Sequence, residues 1–283
     1  MTKDELKKLQ RRNNRYWKRR EMQQRAKLFN KSVTDLDKEL AKQYGRVAKV
    51  IKRELLSTLE EIRNANGDIQ PSDLYKSKRY YQMLNEVNNE LNGLSSKQVT
   101  LTEEKLLEVY ELQSEITANE FGLYNSVDRD AALTVIRETW CSDGRDLSQR
   151  IWRNRDLLMQ KLEEGLFDFV SRGQPTAQLV TDLIAEQVGP DIAEFGSILD
   201  NDFREAYNNA QRLVRTETAR VQTRATQDRY REAGFTKWRV LAEPDCCEVC
   251  ADLAEQVFDI DDLVIPAHPN CRCAMVAVTE SLQ

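Results

Sequence analysis

Apolar side chains recur at steps of three and four residues over most of the chain before residue 235. The clearest stripe contains Val33, Leu36, Leu40, Tyr44, Val47, Ile51, Leu55, Leu59 and Ile62. Steps of this size place side chains on one face of a helix, so the stripe predicts an amphipathic helix of about 30 residues. Ser32 followed by Asp35 resembles a capping box at its start, and Asn66-Gly67 is a stop signal.

The same periodicity predicts three further helices, at about residues 73–92, 102–121 and 128–140, the second opened by Thr100 with Glu103 as a capping pair. The connector 140–144 has turn composition and is the predicted domain boundary. Beyond it we predict a helix marked by Ile151, Leu158, Leu162 and Leu166, a second that begins at Thr176 and ends near Gly189-Pro190, and a long one over about 200–233.

From residue 235 the apolar period changes to two, which is typical of strands. Residues 235–241 and 273–278 each fit a strand, and cysteine-bearing segments lie between them. So short a sheet buries little apolar surface by itself, so a bound metal is the economical way to stabilise it. The predicted fold is therefore mostly α and elongated, with long helices followed by a small zinc-stabilised α+β unit at about residues 235–279.

Metal-ligand spacing is concentrated in that last unit. Cys247-Glu-Val-Cys250 is followed eighteen residues later by His268-Pro-Asn-Cys271-Arg-Cys273, which contains the single histidine of the chain. A two-residue gap lets two donors of one tight turn face the same ion, and both Cys-x-x-Cys and His-x-x-Cys have it. The sequence therefore predicts a structural zinc site.

Five donors are available where structural zinc takes four. Cys247, Cys250, His268 and Cys271 satisfy both gaps, and a set with Cys273 in place of His268 is the alternative. Cys246 is interpreted as a bystander, because two adjacent residues seldom face one ion. Cys141 lies far away in sequence and is predicted to be a small core residue.

Charge is unevenly distributed along a chain whose net charge is −5. Residues 1–31 carry twelve Lys or Arg against three acids, with Tyr16 and Trp17 among them, whereas residues 243–262 carry eight acids and no base. The basic arm suits either nucleic acid or an acidic protein surface, or is a solvated helix. Six arginines of the long helix (Arg212, Arg215, Arg220, Arg224, Arg229 and Arg231) are interpreted as its solvent face, paired with Glu217 and Asp228; contact with DNA phosphates is the alternative.

Membrane and export signals are not expected. The longest apolar stretches, such as residues 263–265, are far shorter than a membrane span, and the N-terminus is charged from residue 3 with no apolar core after it. Cysteines made in a reducing compartment favour metal ligation over disulfides.

Catalysis has little support in the sequence. A single histidine cannot be both ligand and general base, and neither His-Glu-x-x-His nor a glycine-rich phosphate loop occurs. The acids Asp252, Glu255, Asp259, Asp261 and Asp262 have no spacing that marks a magnesium site, so a solvated acidic loop is the favoured interpretation. We expect no enzyme and no small-molecule substrate.

Several residues together resemble a known family. They are Arg215-Thr-Glu217 in the long helix, Tyr230 and Gly234 at its end, Trp238 on the next strand, and the Cys and His pattern described above. This set resembles the C-terminal domain of the phage Mu F-like minor head proteins, also called phage head morphogenesis proteins. Residues 140–152 and Asn14-Arg-Tyr16-Trp17 are similar to minor capsid proteins of tailed phages of Gram-positive bacteria. The resemblance covers about residues 140–278.

The resemblance implies a structural minor head protein of a tailed phage, made in the host cytoplasm and located in the virion head near the portal vertex. It implies binding to the portal protein, and help with head assembly, DNA packaging or genome ejection. The major capsid protein and phage DNA are further expected partners; no membrane is expected. Residues 1–140 would be a portal-docking basic arm and helical region, and residues 141–283 the Mu F-like domain. The alternatives are a zinc-dependent nuclease or toxin-like enzyme acting on DNA, and a free DNA-binding module.

Overall fold

A computed structural model describes residues 20–62, 69–124, 126–171, 198–254 and 256–278. The basic segment with Tyr16 and Trp17, the predicted helix from Thr176 and the acid Glu255 lie outside the described residues. The rest is mostly helical, with one small C-terminal sheet. The elements are α1 (Arg20–Ile62), α2 (Pro71–Lys76), α3 (Lys78–Phe121), α4 (Arg129–Arg137), α5 (Leu147–Ser171), α6 (Ile198–Glu232), β1 (Lys237–Leu241), α7 (Glu248–Ala254), β2 (Val257–Asp259) and β3 (Ala274–Ala277).

Helix α1 confirms the apolar stripe, since all its members from Val33 to Leu59 are buried. The predicted start at Ser32 is wrong, because the helix already begins at Arg20. Met22 packs on Leu241, and Phe29 packs on Ala219, so burial extends the helix N-terminally past the local capping signal.

Helix α3 is a single helix where the sequence predicts two. Thr100, the predicted N-cap, instead donates its hydroxyl hydrogen to the Ser96 carbonyl, 3.2 Å away and one turn earlier. That bond satisfies the side chain inside a helix. Leu91, Leu94 and Leu106 are all buried, so packing on both sides of Thr100 holds the helix continuous.

By contacts the chain divides into two compact units that alternate along the sequence. Unit 1 takes the described residues of Met1–Leu36, Leu101–Leu147 and Arg212–Gln283, and unit 2 those of Asp37–Thr100 and Ser148–Gln211. The predicted division at residue 140 is one of function, with portal docking before it and the Mu F-like domain after it. It stays a prediction.

In unit 2 the buried face of α1 includes Tyr44, whose hydroxyl is the centre of a small hydrogen-bond network. The Tyr44 hydroxyl lies 3.2 Å from both the Gln98 side-chain oxygen and the Asn154 side-chain nitrogen, and Asn154 also donates to the Ala206 carbonyl at 2.8 Å. Burial raises the pKa of Tyr44, so this hydroxyl keeps its proton. These bonds join four segments of the unit around one satisfied buried group.

In unit 1 the centre is α6, whose residues from Glu217 to Thr223 are all buried. Thr218 and Thr223 satisfy their hydroxyls on carbonyls of the preceding turn. Arg25 of α1 donates to the Thr226 hydroxyl at 2.9 Å and to the Met275 carbonyl of β3 at 2.8 Å. One buried guanidinium therefore links α1, α6 and the sheet.

The sheet of unit 1 has the antiparallel order β2-β1-β3, in which Trp238 of β1 is opposite Phe258 and Ala277. Strands β1 and β3 confirm the predicted pair, whereas β2 and helix α7 were not predicted. Trp238 is fully buried, and its indole N–H lies 2.9 Å from the Asp259 carbonyl and 3.1 Å from that of Asp262. The central strand therefore contributes a large, fully buried side chain to the core, and the same side chain holds the acidic loop at Asp259 and Asp262.

Candidate metal centre

Two segments of unit 1 bring the predicted donors together. Cys247 immediately precedes α7 and Cys250 lies in its first turn, where the Ala251 amide donates to the Cys247 carbonyl at 3.0 Å. His268 and Cys271 belong to a tight turn before β3, closed by the Cys271 amide on the His268 carbonyl at 3.1 Å. Asn270 has a φ of 65° in that turn, a left-handed conformation that asparagine tolerates.

Three distances between donor atoms are short enough for a shared metal ion. The His268 Nε2 atom is 3.3 Å from the Cys247 sulfur and 3.2 Å from the Cys250 sulfur, and the Cys250 and Cys271 sulfurs are 3.7 Å apart. Tetrahedral zinc bonds of about 2.3 Å to sulfur and about 2.0 Å to nitrogen separate two sulfurs by about 3.8 Å and a sulfur from a nitrogen by about 3.5 Å. The sulfur pair matches this spacing, and the nitrogen lies a few tenths of an ångström inside it.

The imidazole of His268 is oriented for coordination. Its Nδ1 atom lies 2.9 Å from the Pro269 carbonyl oxygen. A carbonyl only accepts, so Nδ1 carries the hydrogen and the lone pair is left on Nε2, the atom that faces the sulfurs. Such a second hydrogen bond is the usual way in which a protein fixes a metal-binding histidine.

The sulfur atoms differ in their tendency to ionise. Hydrogen bonds from the thiols of Cys250 and Cys273 lower the pKa of Cys271, and the same contact raises the pKa of Cys250. Burial opposes ionisation of Cys247, but hydrogen bonds from the backbone and thiol of Cys250, and the nearby His268, give it a net lowered pKa. The surroundings therefore favour the thiolate, the form of cysteine that binds metals, at Cys247 and Cys271, whereas the pKa of Cys250 and that of Cys273 are raised.

Cys250 is common to two groups of close donors, one with Cys247 and His268 and the other with Cys271 and Cys273. The five predicted residues therefore do come together, and both donor sets considered from the sequence stay open. Cys246 is buried, and it belongs to neither group among the described residues. The acids Asp252, Asp259, Asp261 and Asp262 form no such group in the described part of the chain either.

The turn of His268 is attached to the central helix by a contact that spacing does not predict. The Asn270 amide donates to the Thr216 hydroxyl of α6 at 3.1 Å. The acidic loop is attached in a similar way, since the Gln227 side chain donates to the carbonyl of Ile260. Thr216 lies in the Arg215-Thr-Glu217 segment, which the sequence marks only through its resemblance to a family. Nothing in the sequence pattern predicts that the Thr216 hydroxyl contacts the His268 turn.

The arginines of α6 are only in part its solvent face. The predicted partners are confirmed, because Arg220 pairs with Glu217 and Arg231 with Asp228, both at 2.8 Å. The predicted exposure is wrong for Arg220, which is 0% exposed, and for Arg229, which is 7% exposed. Arg220 is buried because it donates to the carbonyls of Val135 and Ile136 at the end of α4.

None of the described helices combines the length and apolar character that crossing a membrane requires.

Comparison with protein families places the second half of the chain. The family described as Phage Mu protein F like protein matches residues 160–276, which include all five cluster residues and all of the sheet except the last residue of β3. The predicted resemblance is thereby confirmed, and this region is a phage Mu F-like one. The family is one of structural phage head proteins and indicates a role in head morphogenesis or as a minor capsid protein, in contact with other virion proteins. No curated protein and no solved structure matches the chain.

Proposed function

We propose that this chain is a structural minor head protein of a tailed phage that binds the portal protein and assists head assembly, DNA packaging or genome ejection. The observation that carries the proposal is the Mu F-like region at 160–276, which contains the Cys and His cluster. In the proposal the chain acts in the virion head, near the portal vertex.

Zinc is proposed as a structural ion in this cluster. Cys247, Cys250, His268 and Cys271 would hold it, because the three donor distances of 3.2, 3.3 and 3.7 Å given above all join these four residues. The set with Cys273 in place of His268 is the alternative. Bound zinc would supply a rigid link between two turns that no strand pairing joins. Four protein ligands leave no open position for water, so the ion would hold the fold and not act on a substrate.

Portal docking is proposed for residues 1–140, which present exposed aromatic side chains within unit 2. Tyr75 is 55% exposed and Tyr81 is 50% exposed, and the Tyr75 ring lies 6.1 Å from that of Phe167. Adjoining exposed aromatic rings are typical of protein contact surfaces. Both compact units draw helices from both sides of residue 140, so docking is better tested by substitution than by truncation.

The first experiment is co-purification of the full chain with the portal protein of its own phage, after nuclease treatment to remove bridging DNA. We expect a stable complex of fixed stoichiometry with about one zinc per chain. Zinc without portal association would overturn the portal proposal and leave the metal site standing. Portal association without zinc would do the reverse.

Substitution of the two exposed tyrosines locates the contact. Tyr75→Ser with Tyr81→Ser should weaken the portal complex while zinc content stays unchanged. Tyr124→Ser is the matched control, because Tyr124 is 82% exposed and makes none of the ring contacts described for the other tyrosines. Equal binding by all variants would show that docking uses another surface.

A further inference from the structure

Helix α1 presents a row of cations to solvent within unit 2. The row, called the basic face below, consists of Lys38, Lys42, Arg46, Lys49 and Arg53, all exposed. Steps of four, four, three and four residues keep these side chains within an arc of about 80° at 100° per residue. At 1.5 Å rise per residue the row is about 22 Å long.

Within the described part of the chain, no acidic side chain neutralises the cations of the basic face. None has a carboxylate within salt-bridge distance among the described residues, whereas Lys52 on the buried side of α1 pairs with Asp200. The single acid between the first and last of them is Glu39. In a chain of net charge −5, five unpaired cations on one helix face form a local field of the opposite sign.

The chemistry of the basic face suits phosphate better than an acidic protein surface. No large hydrophobic side chain is exposed between residues 38 and 53, all of which the structure describes. The centre of a protein interface is enriched in aromatic residues and depleted of lysine, which is the opposite composition. Duplex DNA presents one charge per about 1.7 Å of axis, so about 13 phosphates lie along a length equal to this row.

We propose that the basic face of α1 binds the phosphate backbone of duplex DNA without regard to base sequence. Lysine and arginine reach phosphate oxygens from a helix surface as point charges, and such contacts carry no base readout. The binding gains free energy from release of counterions condensed on the DNA. This contact is separate from portal binding, so either proposal can fail without the other.

Arginine content alone would place the DNA contact on α6 and not on α1. Helix α6 is richer in arginine, but Arg220 and Arg229 are buried and Arg231 already pairs with Asp228 and Asp261. Cations engaged in this way are not available to phosphate without first losing their partners. The basic face of α1 carries no such cost.

The test is fluorescence anisotropy of a labelled duplex of mixed sequence, titrated with the full chain between about 50 and 200 mM salt. Each phosphate contact contributes about 0.9 to the slope of log affinity against log salt. Lys42→Gln, Lys49→Gln and Arg53→Gln combined should therefore flatten the slope by about 2.7. Glutamine is a good helix former, so the helix itself should persist.

A matched control distinguishes an effect of the basic face from an effect of net charge. Lys76→Gln, Lys78→Gln and Arg153→Gln remove the same charge from exposed positions elsewhere in unit 2 and should leave the slope unchanged. An unchanged slope in the first triple variant, or equal flattening in both, would overturn the proposal. Loss of portal association with unchanged DNA binding would also overturn it, since the face would then serve an acidic protein.

Discussion

The guanidinium of Arg220 and the carboxylate of Glu217 form an ion pair at 2.8 Å, with side chains 0% and 2% exposed. Both lie on α6, one turn apart. The indole N–H of Trp140 donates to the other oxygen of Glu217 at 3.0 Å, and Arg220 also donates to the last carbonyls of α4. A fully buried pair therefore joins the central helix of unit 1 to α4 and the turn after it.

Loss of one partner of this pair should be costly. Arg220→Met leaves the Glu217 carboxylate buried without its charge partner, so it should lower the free energy of unfolding by about 3 kcal/mol or more. Glu217→Gln should cost less, because the Glu138 carboxylate still lies 3.1 Å from the Arg220 guanidinium. The double variant should be less damaging than the sum of the two, because neither charge is then left alone. Chemical denaturation of the three variants measures both effects.

The control for the buried pair is the exposed pair of Arg231 with Asp261, in which the carboxylate is 81% exposed. Asp261→Asn should change stability by at most about 1 kcal/mol. A similar loss in both pairs would mean that burial does not set the energetics here.

The adjacent cysteines 246 and 247 should differ in their effect on metal content. Cys247→Ser removes a donor 3.3 Å from His268 and should lower zinc content and thermal stability. Cys246→Ser should retain the metal, since this residue belongs to neither donor group. Zinc quantification on both purified variants decides the matter; loss of metal in the Cys246 variant alone would contradict the assignment.

Cobalt substitution should distinguish the two donor sets. With His268 as the fourth ligand, three thiolates bind, and Cys273→Ser should leave the intensity of the thiolate-to-cobalt absorption unchanged. With Cys273 as the fourth ligand, that variant should lose intensity, while His268→Asn should not. The visible absorption spectra of the two variants give the answer directly.

Thr216 should control how firmly the His268 turn is held. Thr216→Val removes the hydroxyl that accepts from the Asn270 amide and should cost about 1 kcal/mol. Zinc should then transfer faster to a chromophoric chelator, while the stoichiometry stays the same. Thr216→Ser keeps the hydroxyl and should transfer zinc as slowly as the natural chain. If Thr216→Val transfers zinc no faster than the natural chain, the hydroxyl does not hold the turn.

Tyr110 should make unit 1 sensitive to alkaline pH. Its hydroxyl donates to Asp228 at 2.6 Å, and burial, followed by the charge of that carboxylate, raises the pKa of Tyr110. Above pH about 10 the unfolded chain loses this proton while the folded chain keeps it, so stability falls as pH rises.

Tyr110→Phe removes the titrating group and one hydrogen bond. The variant should be less stable than the natural chain by about 1 kcal/mol at neutral pH. The gap should narrow by up to about 1.4 kcal/mol per pH unit above pH 10. Denaturation at several pH values tests this, and a constant gap would mean that Tyr110 titrates alike in both states.

Local signals predicted the parts of the molecule in which the deciding interactions are close in sequence. The apolar stripe of α1, strands β1 and β3, and the two donor turns are all examples, because helix periodicity and ligand gaps span only a few residues. The capping signals at Ser32 and Thr100 misled for the same reason, because packing from distant segments outweighs a cap of about 1 kcal/mol.

Composition and spacing in the sequence by themselves determined a mostly helical chain and a candidate metal cluster in its last 40 residues. The likeness to the Mu F-like family came separately, as a resemblance of particular residues. Only the tertiary structure decided that Arg220 is buried, that Thr216 holds the His268 turn, and that the cations from Lys38 to Arg53 have no carboxylate partner among the described residues. The physical reason is that the fate of a charge depends on whether a carboxylate or carbonyl from another segment reaches it. That partner is set by packing, and no local pattern of residues encodes it.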